Sequence, residues 1–400
     1  MRVLISGASI AGLTLAHWLA RHGFTPTVVE RAPGLREGGQ GVDVRDQAIE
    51  VVERMGLMAD VRARAADVGA MTFVNGAGRD QARIDIDAIK AKNATGEVEI
   101  MRGDLVGLLH AATDVEYLFG DSIQALDQDA EGVTVTFESG LERRFELVVG
   151  ADGLHSNVRR LAFGPESRFL QHRDHYFAFA NADASLGVDR QMTVHNLPGK
   201  MAGVYRSGNH AQAKAYFIYR SPEVDYDHRD LEQQRAMLRE QFADVSSWHT
   251  QGLLASALAD PAMYFDSLSQ VRMESWSSGR VVLVGDAAYC ASPASGAGAE
   301  LALTGAYRLA IELAMAGGDH EAAFRRYEEG QRELVTRKQQ IGPNVRLMVP
   351  RTRLGMRVRN LVARLPLAGM ERIMAPRKVT PLPTYVSNSK TQFSDDEKRV

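Results

Sequence analysis

The chain opens on a short apolar run, Arg-Val-Leu-Ile-Ser at residues 2–6, closed by Gly7. An uninterrupted apolar run bounded by glycine predicts a strand buried on both faces, the parallel-sheet type. Residues 10–22 then place Leu13, Leu15, Ala16, Trp18 and Leu19 at helical spacing, and Gly23 closes the helix as a C′ glycine. Thr27–Glu30 is the next strand, so one βαβ unit fits within the first thirty residues. Helices are predicted at 47–58 and at 104–111, the latter with Asp104 as N-cap, and a strand at 116–118. Residues 133–138 and 145–149 flank Ser139-Gly140 as a hairpin, and Leu147-Val148-Val149 runs into Gly150-Ala151-Asp152-Gly153. From about 165 to 270 the texture becomes alternating, at 175–183, 191–195 and 214–219, which predicts an antiparallel sheet with a helix inserted at 230–242. Val281–Val284 is again a buried strand, followed by helices at about 297–316 and 319–340. The predicted fold class is therefore α/β, with one discontinuous unit at 1–164 and 271–340. An antiparallel-sheet unit at 165–270 is inserted into it. A helical segment at 341–385 follows, and residues 386–400 form a polar tail expected to fray.

Composition narrows the function classes. The 400 residues carry a net charge of −3, which leaves no global positive field for nucleic acid. The single cysteine, Cys290, allows neither an internal disulfide nor a cysteine-based metal centre. No apolar stretch approaches the ~20 residues that span a bilayer. The first residues lack a signal-peptide pattern, so a cytoplasmic location is expected. Cys290 reads as a small buried residue, and the scattered His172, His175, His195 and His210 lack metal-ligand spacing.

Three stretches carry candidate chemistry. Gly7-Ala8-Ser9-Ile10-Ala11-Gly12 lies between strand and helix, where a dinucleotide pyrophosphate needs a tight turn and free N–H groups. Ser9 stands where such turns usually have a second glycine. Glu30 follows Gly12 by about 18 residues, near the spacing of a carboxylate on a ribose hydroxyl. Asp152-Gly153 ends a second apolar strand, with Ser156 and Arg159 beyond it. The third, Gly285-Asp286 to Gly298-Ala299-Glu300, sets a carboxylate at a strand end and glycines before a helix whose N-terminus favours negative charge. No second glycine-rich strand–turn–helix is present for a resident nicotinamide nucleotide, and no Gly-x-Ser-x-Gly elbow for a serine hydrolase.

In this order and spacing, the three stretches resemble the group A flavoprotein monooxygenases, the para-hydroxybenzoate hydroxylase family, over about residues 1–340. Within it the chain looks most like the tetracycline-inactivating and polyketide-modifying flavin monooxygenases. The run Gly38-Gly39-Gln40-Gly41-Val42-Asp43-Val44 and the expected C-terminal helix contribute to that likeness. The resemblance implies a Rossmann-like FAD-binding domain with Ser9, Ile10 and Ala11 at the pyrophosphate and Glu30 and Arg31 at the adenosine ribose. It also implies Asp43 near the flavin, Arg102 at the phosphate or ribityl chain, Asp286 on ribityl hydroxyls, and Gly298 and Ala299 against the isoalloxazine. Tyr289 and Glu300 depart from the family's common histidine and asparagine. The implied activity is hydroxylation of an aromatic or enolic polycyclic compound with NAD(P)H and dioxygen, through a C4a-hydroperoxyflavin. No side chain is assigned as catalytic acid or base. A carbon–carbon double-bond reductase and a non-catalytic flavin-binding protein are the alternatives.

The middle sheet is expected to wall the substrate. Alternation puts His175, Phe177, Phe179 and Asn181 on one face and mostly alanines on the other. Phe177, Phe179, Asn181, Lys200 and Tyr216 are the candidate wall, with Lys214 beside them. The basic segment 345–378 is expected to be a helix packed across the two domains with its arginines outward, rather than an interfacial membrane helix. A monomer or homodimer without a membrane span is expected.

Overall fold

The computed structural model describes residues 1–35, 39–92, 96–341, 347–363 and 380–385. Gly38 and the tail 386–400 lie outside the described residues. A six-stranded sheet has the order Ser277–Ser278, Val281–Leu283, Leu147–Gly150, Arg2–Ser6, Thr25–Glu30, Glu116–Phe119. All its pairings are parallel except the outermost, at 277–278. Its inner strands are buried apart from their outer ends at Arg2, Thr25 and Glu30, as their apolar runs require. Helices Ile10–Arg21, Gly298–Met315 and His320–Gln339 share its core. The hairpin expectation is corrected here. Val133–Phe137 pairs with Glu142–Phe145, while Leu147–Gly150 leaves the hairpin and joins Arg2–Ser6 in parallel. A strand buried on both faces cannot remain on a half-solvated ribbon. The helix expected over 47–58 splits into Gln47–Arg54 and Met58–Ala63 around Gly56, which has φ +76°. Asp104 lies in the first turn of helix Arg102–Ala111, whose N-cap is Met101.

The second sheet has seven strands, in the order Tyr264–Val271, Leu170–Ala182, Ala213–Arg220, Lys200–Arg206, Gln191–Leu197, Ala70–Val74, Asp80–Asp85. Its last two strands come from the part of the chain the sequence boundary placed in the first domain. Ala70–Val74 joins by a parallel pairing with Gln191–Leu197. One face carries Tyr176, Ala178, Ala180, Ala202, Ala215 and Phe217 and packs on helices Leu231–Phe242 and Thr250–Ala259. The small alanines let the helices approach closely. The other face looks toward the first domain.

The C-terminal segment runs across the edge of that second face. Val349 is fully buried, the Gly199 N–H donates to Pro350 O, and helix Arg353–Ala363 packs on strand Asp80–Asp85. The expected outward arginines are found except at Arg359. Arg351, Arg353 and Arg357 are exposed, but Arg359 is buried while Leu354, Val358, Leu361 and Val362 point outward.

Candidate functional site

Parallel register brings the three motif turns to one sheet edge. Ser6 pairs with Gly150, and Gly150 with Leu283, so Gly7, Ala151-Asp152 and Gly285-Asp286 emerge side by side. The outer strand order reverses here, the position where open α/β sheets bind ligands. Glycine is required at two of these turns. Gly7 has φ +109°, and a Cβ there would lie 2.5 Å from Ala151 O. A Cβ on Gly12 would lie 1.9 Å from Gly7 O, so the helix can sit against the turn only because Gly12 has no side chain.

The turn leaves its donors available. Helix Ile10–Arg21 has no side-chain cap, although Ser9 is its N-cap. The Ser9 hydroxyl instead accepts from Arg102 at 2.8 Å. The first N–H groups, at Ile10, Ala11 and Gly12, are therefore free to meet an anion. The Glu30 carboxylate accepts from the Ala8 and Ala32 N–H groups, both at 2.9 Å, which fixes it beside the glycine turn. Arg31 follows at the exposed rim.

Asp286 is solvent-accessible even though it lies deep between the domains, the mark of a side chain lining a cleft. Burial among protein groups raises its carboxyl above the ordinary range, against the pull of Cys290 and of the nearby Arg102 charge. Cys290 itself is buried, and burial pushes its thiol well up, so it is a poor nucleophile. Beyond it, Ser292 holds φ +76° with its hydroxyl buried and unpartnered. Such strain and unmet hydrogen bonding cluster at functional loops in proteins generally.

Helix Gly298–Met315 also starts without a side-chain cap, and a Cβ on Gly298 would meet nothing within 4 Å. A flat open step therefore precedes an uncapped helix N-terminus. Asp43 comes close to this step. Its carboxylate lies 3.7 Å from where a Gly296 Cβ would be and 4.0 Å from Arg45. Ala299 and Glu300 are buried behind it. Glu300 is held by Lys338 at 2.6 Å and Arg45 at 3.5 Å, and burial keeps its carboxyl above the usual range despite these cations.

The seven-stranded sheet faces this cleft with aromatic rings. Phe177 and Phe179 share a cluster with Leu268, Tyr216, Tyr264 and Ala294, the last from the loop beyond Asp286. Phe179 stacks with Tyr264 at 5.0 Å and with Tyr216 at 5.9 Å between centroids. The Tyr216 hydroxyl reaches the Gly41 backbone, and Tyr205 donates to Glu99 at 3.0 Å. Asn181 is on the same face but toward the strand's end, where it accepts from Lys214. Lys200 is not part of the wall, a correction to the expectation. It has the parity of Ala202, its ammonium lies 5.8 Å from the Phe242 ring centroid, and it donates to Gln241 O on the helix side. His175 bonds the neighbouring Arg173 carbonyl, and His195 bonds Val74 O and Ser247.

Sequence reading missed Tyr264 and Asp266. Tyr264 donates to Asp266 at 3.0 Å, and Asp266 also lies 3.1 Å from His155. Burial alone would lower His155, but Asp266 and Glu166 together raise it to about 9. The period-two run Tyr264, Asp266, Leu268, Gln270 was the available signal.

Known proteins share this chain's family and fold. The FAD binding domain family matches residues 1–339. A flavin-dependent monooxygenase of Legionella longbeachae is 36% identical over 86% of this chain and 88% of its own length. This chain is an FAD-dependent monooxygenase. An uncharacterised protein of Mycobacterium tuberculosis is 44% identical over 84% of the monooxygenase and 91% of its own length. The crystal structure of the tetracycline destructase Tet(51) superposes with a TM-score of 0.82, at 32% identity, over 96% of this chain and 99% of that one. Tet(55), another tetracycline destructase, gives 0.79 at 34% identity over 96% and 98%. Among the described residues, no helix is long and apolar enough to cross a membrane.

Proposed function

We propose that this monooxygenase uses NAD(P)H and dioxygen to hydroxylate an aromatic or enolic polycyclic molecule of the tetracycline or polyketide type. The observation that carries the reading is the aromatic face of Phe177, Phe179, Tyr216 and Tyr264, closed by Ala294 against the Asp286–Gly298 loop. An apolar chamber with few polar edges suits a large flat ligand. The likeness to two tetracycline destructases supports the substrate class.

Bound FAD would supply the redox chemistry, acceptance of a hydride from the nicotinamide nucleotide and delivery of one oxygen atom of dioxygen to the substrate, the other leaving as water. The chain's residues would bind and position it. The N–H groups of Ile10 and Ala11 and the Ser9 hydroxyl would hold the pyrophosphate, with Arg102 beside them. Glu30 would hold the adenosine ribose, with Arg31 at the rim. Asp286 would accept from ribityl hydroxyls. Gly298 and Ala299 would border the ring at the uncapped helix N-terminus, which favours negative charge, with Asp43 beside it. Phe177, Phe179 and Tyr216 hold the substrate over the ring and keep water out, and Asn181 with Lys214 gives a polar margin. The test is NADPH oxidation by the FAD-loaded protein against a panel of planar compounds of one to four fused rings. Stimulation that rises with ring number supports the reading. Equal stimulation by single-ring phenols, or none by any compound, refutes it.

A further inference from the structure

Arg359 is a buried cation that has no counter-ion among the described residues. It is 8% exposed, and among the described residues its hydrogen-bond partners are all neutral. Its Nη2 donates to Asn196 Oδ1 at 2.8 Å, its Nε to Asn360 Oδ1 at 2.9 Å, and its Nη1 reaches Leu347 O at 3.5 Å. The guanidinium carbon stands 3.7 Å from the centroid of Phe73. Burial lowers its pKa to about 10, so it remains a cation at neutral pH. A guanidinium has five N–H donors, and among the described residues two of these have no partner. Taking a charge out of water without an opposite charge is costly, and arginine buried in this way usually faces a carboxylate or another anion.

The surroundings indicate where that anion comes from. Phe73 belongs to a cluster with Val194, Met201, Met192, Tyr216 and Ile218, on the sheet face that looks into the cleft. Tyr216 belongs also to the Phe177 and Phe179 cluster, so one apolar floor runs from the Asp286–Gly298 loop to Arg359. Three inter-strand steps separate the Tyr216 strand from the Phe73 strand. That is about 14 Å at ordinary strand spacing, a length that a linearly fused polycycle bridges. The segment carrying Arg359 is fastened over this end of the floor. Asn196 donates to Met348 O at 2.8 Å and Arg220 to Val349 O at 2.9 Å. A helix meant only to cover the sheet would turn its leucines inward, but here Leu354, Leu361 and Val362 face out and the arginine faces in.

We propose that Arg359 is an anion anchor at the far end of the substrate chamber, selecting polycyclic substrates that carry an ionised enol, phenol or carboxylate. The inference rests on the polycyclic reading above. It adds a charge requirement to that reading and a point of attachment remote from the flavin.

The test compares two probes of one shape, 2-anthracenecarboxylate and 2-anthracenemethanol, binding to the FAD-loaded full chain by calorimetric titration at pH 7.5. A charge-assisted hydrogen bond in a buried site is worth about tenfold or more in affinity. The wild type should prefer the carboxylate by about that factor. Arg359→Gln should abolish the preference by weakening the carboxylate alone, and Arg359→Lys should keep part of it. A merely structural arginine would weaken both probes alike, or neither, and either outcome overturns the anchor. Equal binding of both probes by the wild type overturns the anchor and leaves the polycyclic reading standing. Binding of neither probe by the flavin-replete wild type overturns both.

Discussion

Gly12→Ala sets two physical effects against each other. Inside a helix, alanine is favoured over glycine by about 1 kcal/mol, so propensity alone predicts a more stable protein. Geometry predicts the opposite. The new Cβ would lie 1.9 Å from Gly7 O and 3.1 Å from Gly7 C, and ordinary contact begins near 3.4 Å. The obstacle is backbone on a strand-end turn that cannot rotate away. Helix and turn must therefore separate by about 1.5 Å, and such overpacking costs ~1–3 kcal/mol. The same displacement takes the N–H groups of Ile10 and Ala11 out of hydrogen-bond range of a pyrophosphate, since these bonds fail beyond about 3.5 Å. Two charge-assisted bonds at ~1.5–3 kcal/mol each correspond to a loss of FAD affinity of about 100-fold or more. Gly298→Ala is the matched control. Its Cβ meets nothing within 4 Å, so the fold should be unaffected, yet a methyl group would rise into the space assigned to the ring. Thermal unfolding of the apoproteins and FAD titration by fluorescence quenching separate the two. Gly12→Ala should lower both Tm and affinity, and Gly298→Ala should lower affinity only. Wild-type Tm and wild-type FAD affinity in Gly12→Ala would refute the reasoning.

Other residues make separate claims. Asp286→Ala should purify with much less FAD than wild type, read from the ratio of flavin to protein absorbance, and Asp286→Asn should be intermediate. Lys338→Met removes the nearest cation of the buried Glu300 but leaves Arg45 at 3.5 Å, so the loss should fall below the ~3–5 kcal/mol of a fully broken buried pair. Urea unfolding should show that loss, and Glu300→Gln in the same chain should recover most of it. His155 is raised to about 9 in the folded protein against an ordinary 6.5. A raised histidine gives stability that is fully present below pH 6.5 and lost as pH climbs through 9, on the order of 3 kcal/mol at most. The Tm of wild type should fall across that interval more than the Tm of His155→Gln. Parallel curves for the two would remove the Asp266–His155–Glu166 cluster from the stability account.

The parallel half of the molecule was legible because its signals are local. Each of Arg2–Ser6, Leu147–Gly150 and Val281–Leu283 is a continuous apolar run followed within a few residues by glycine, and buried parallel strands need no partner nearby in sequence. Candidate residues Ser9, Glu30, Arg102 and Asp286 stand at those strand ends or at the start of a helix, so topology alone draws them together. The substrate sheet was less legible. Ala70–Val74 pairs with Gln191–Leu197 across more than a hundred residues, and no local pattern announces such a partner. Lys200 was misplaced because strand parity fixes a face only relative to its neighbours, and the pairing of Lys200 with Tyr219 sets it on the helix side. Tyr264 and Asp266 were readable from alternation. Arg359 was not, since a basic helix with exposed leucines reverses the usual sign of burial.

The most direct test of the central claim is one turnover of the FAD-loaded protein with NADPH and tetracycline under oxygen-18 gas, followed by mass spectrometry. The account predicts a product carrying one labelled oxygen atom, with one NADPH consumed for each product formed. A product that gains two hydrogens and no label, or NADPH consumed with peroxide as the sole product, would contradict it.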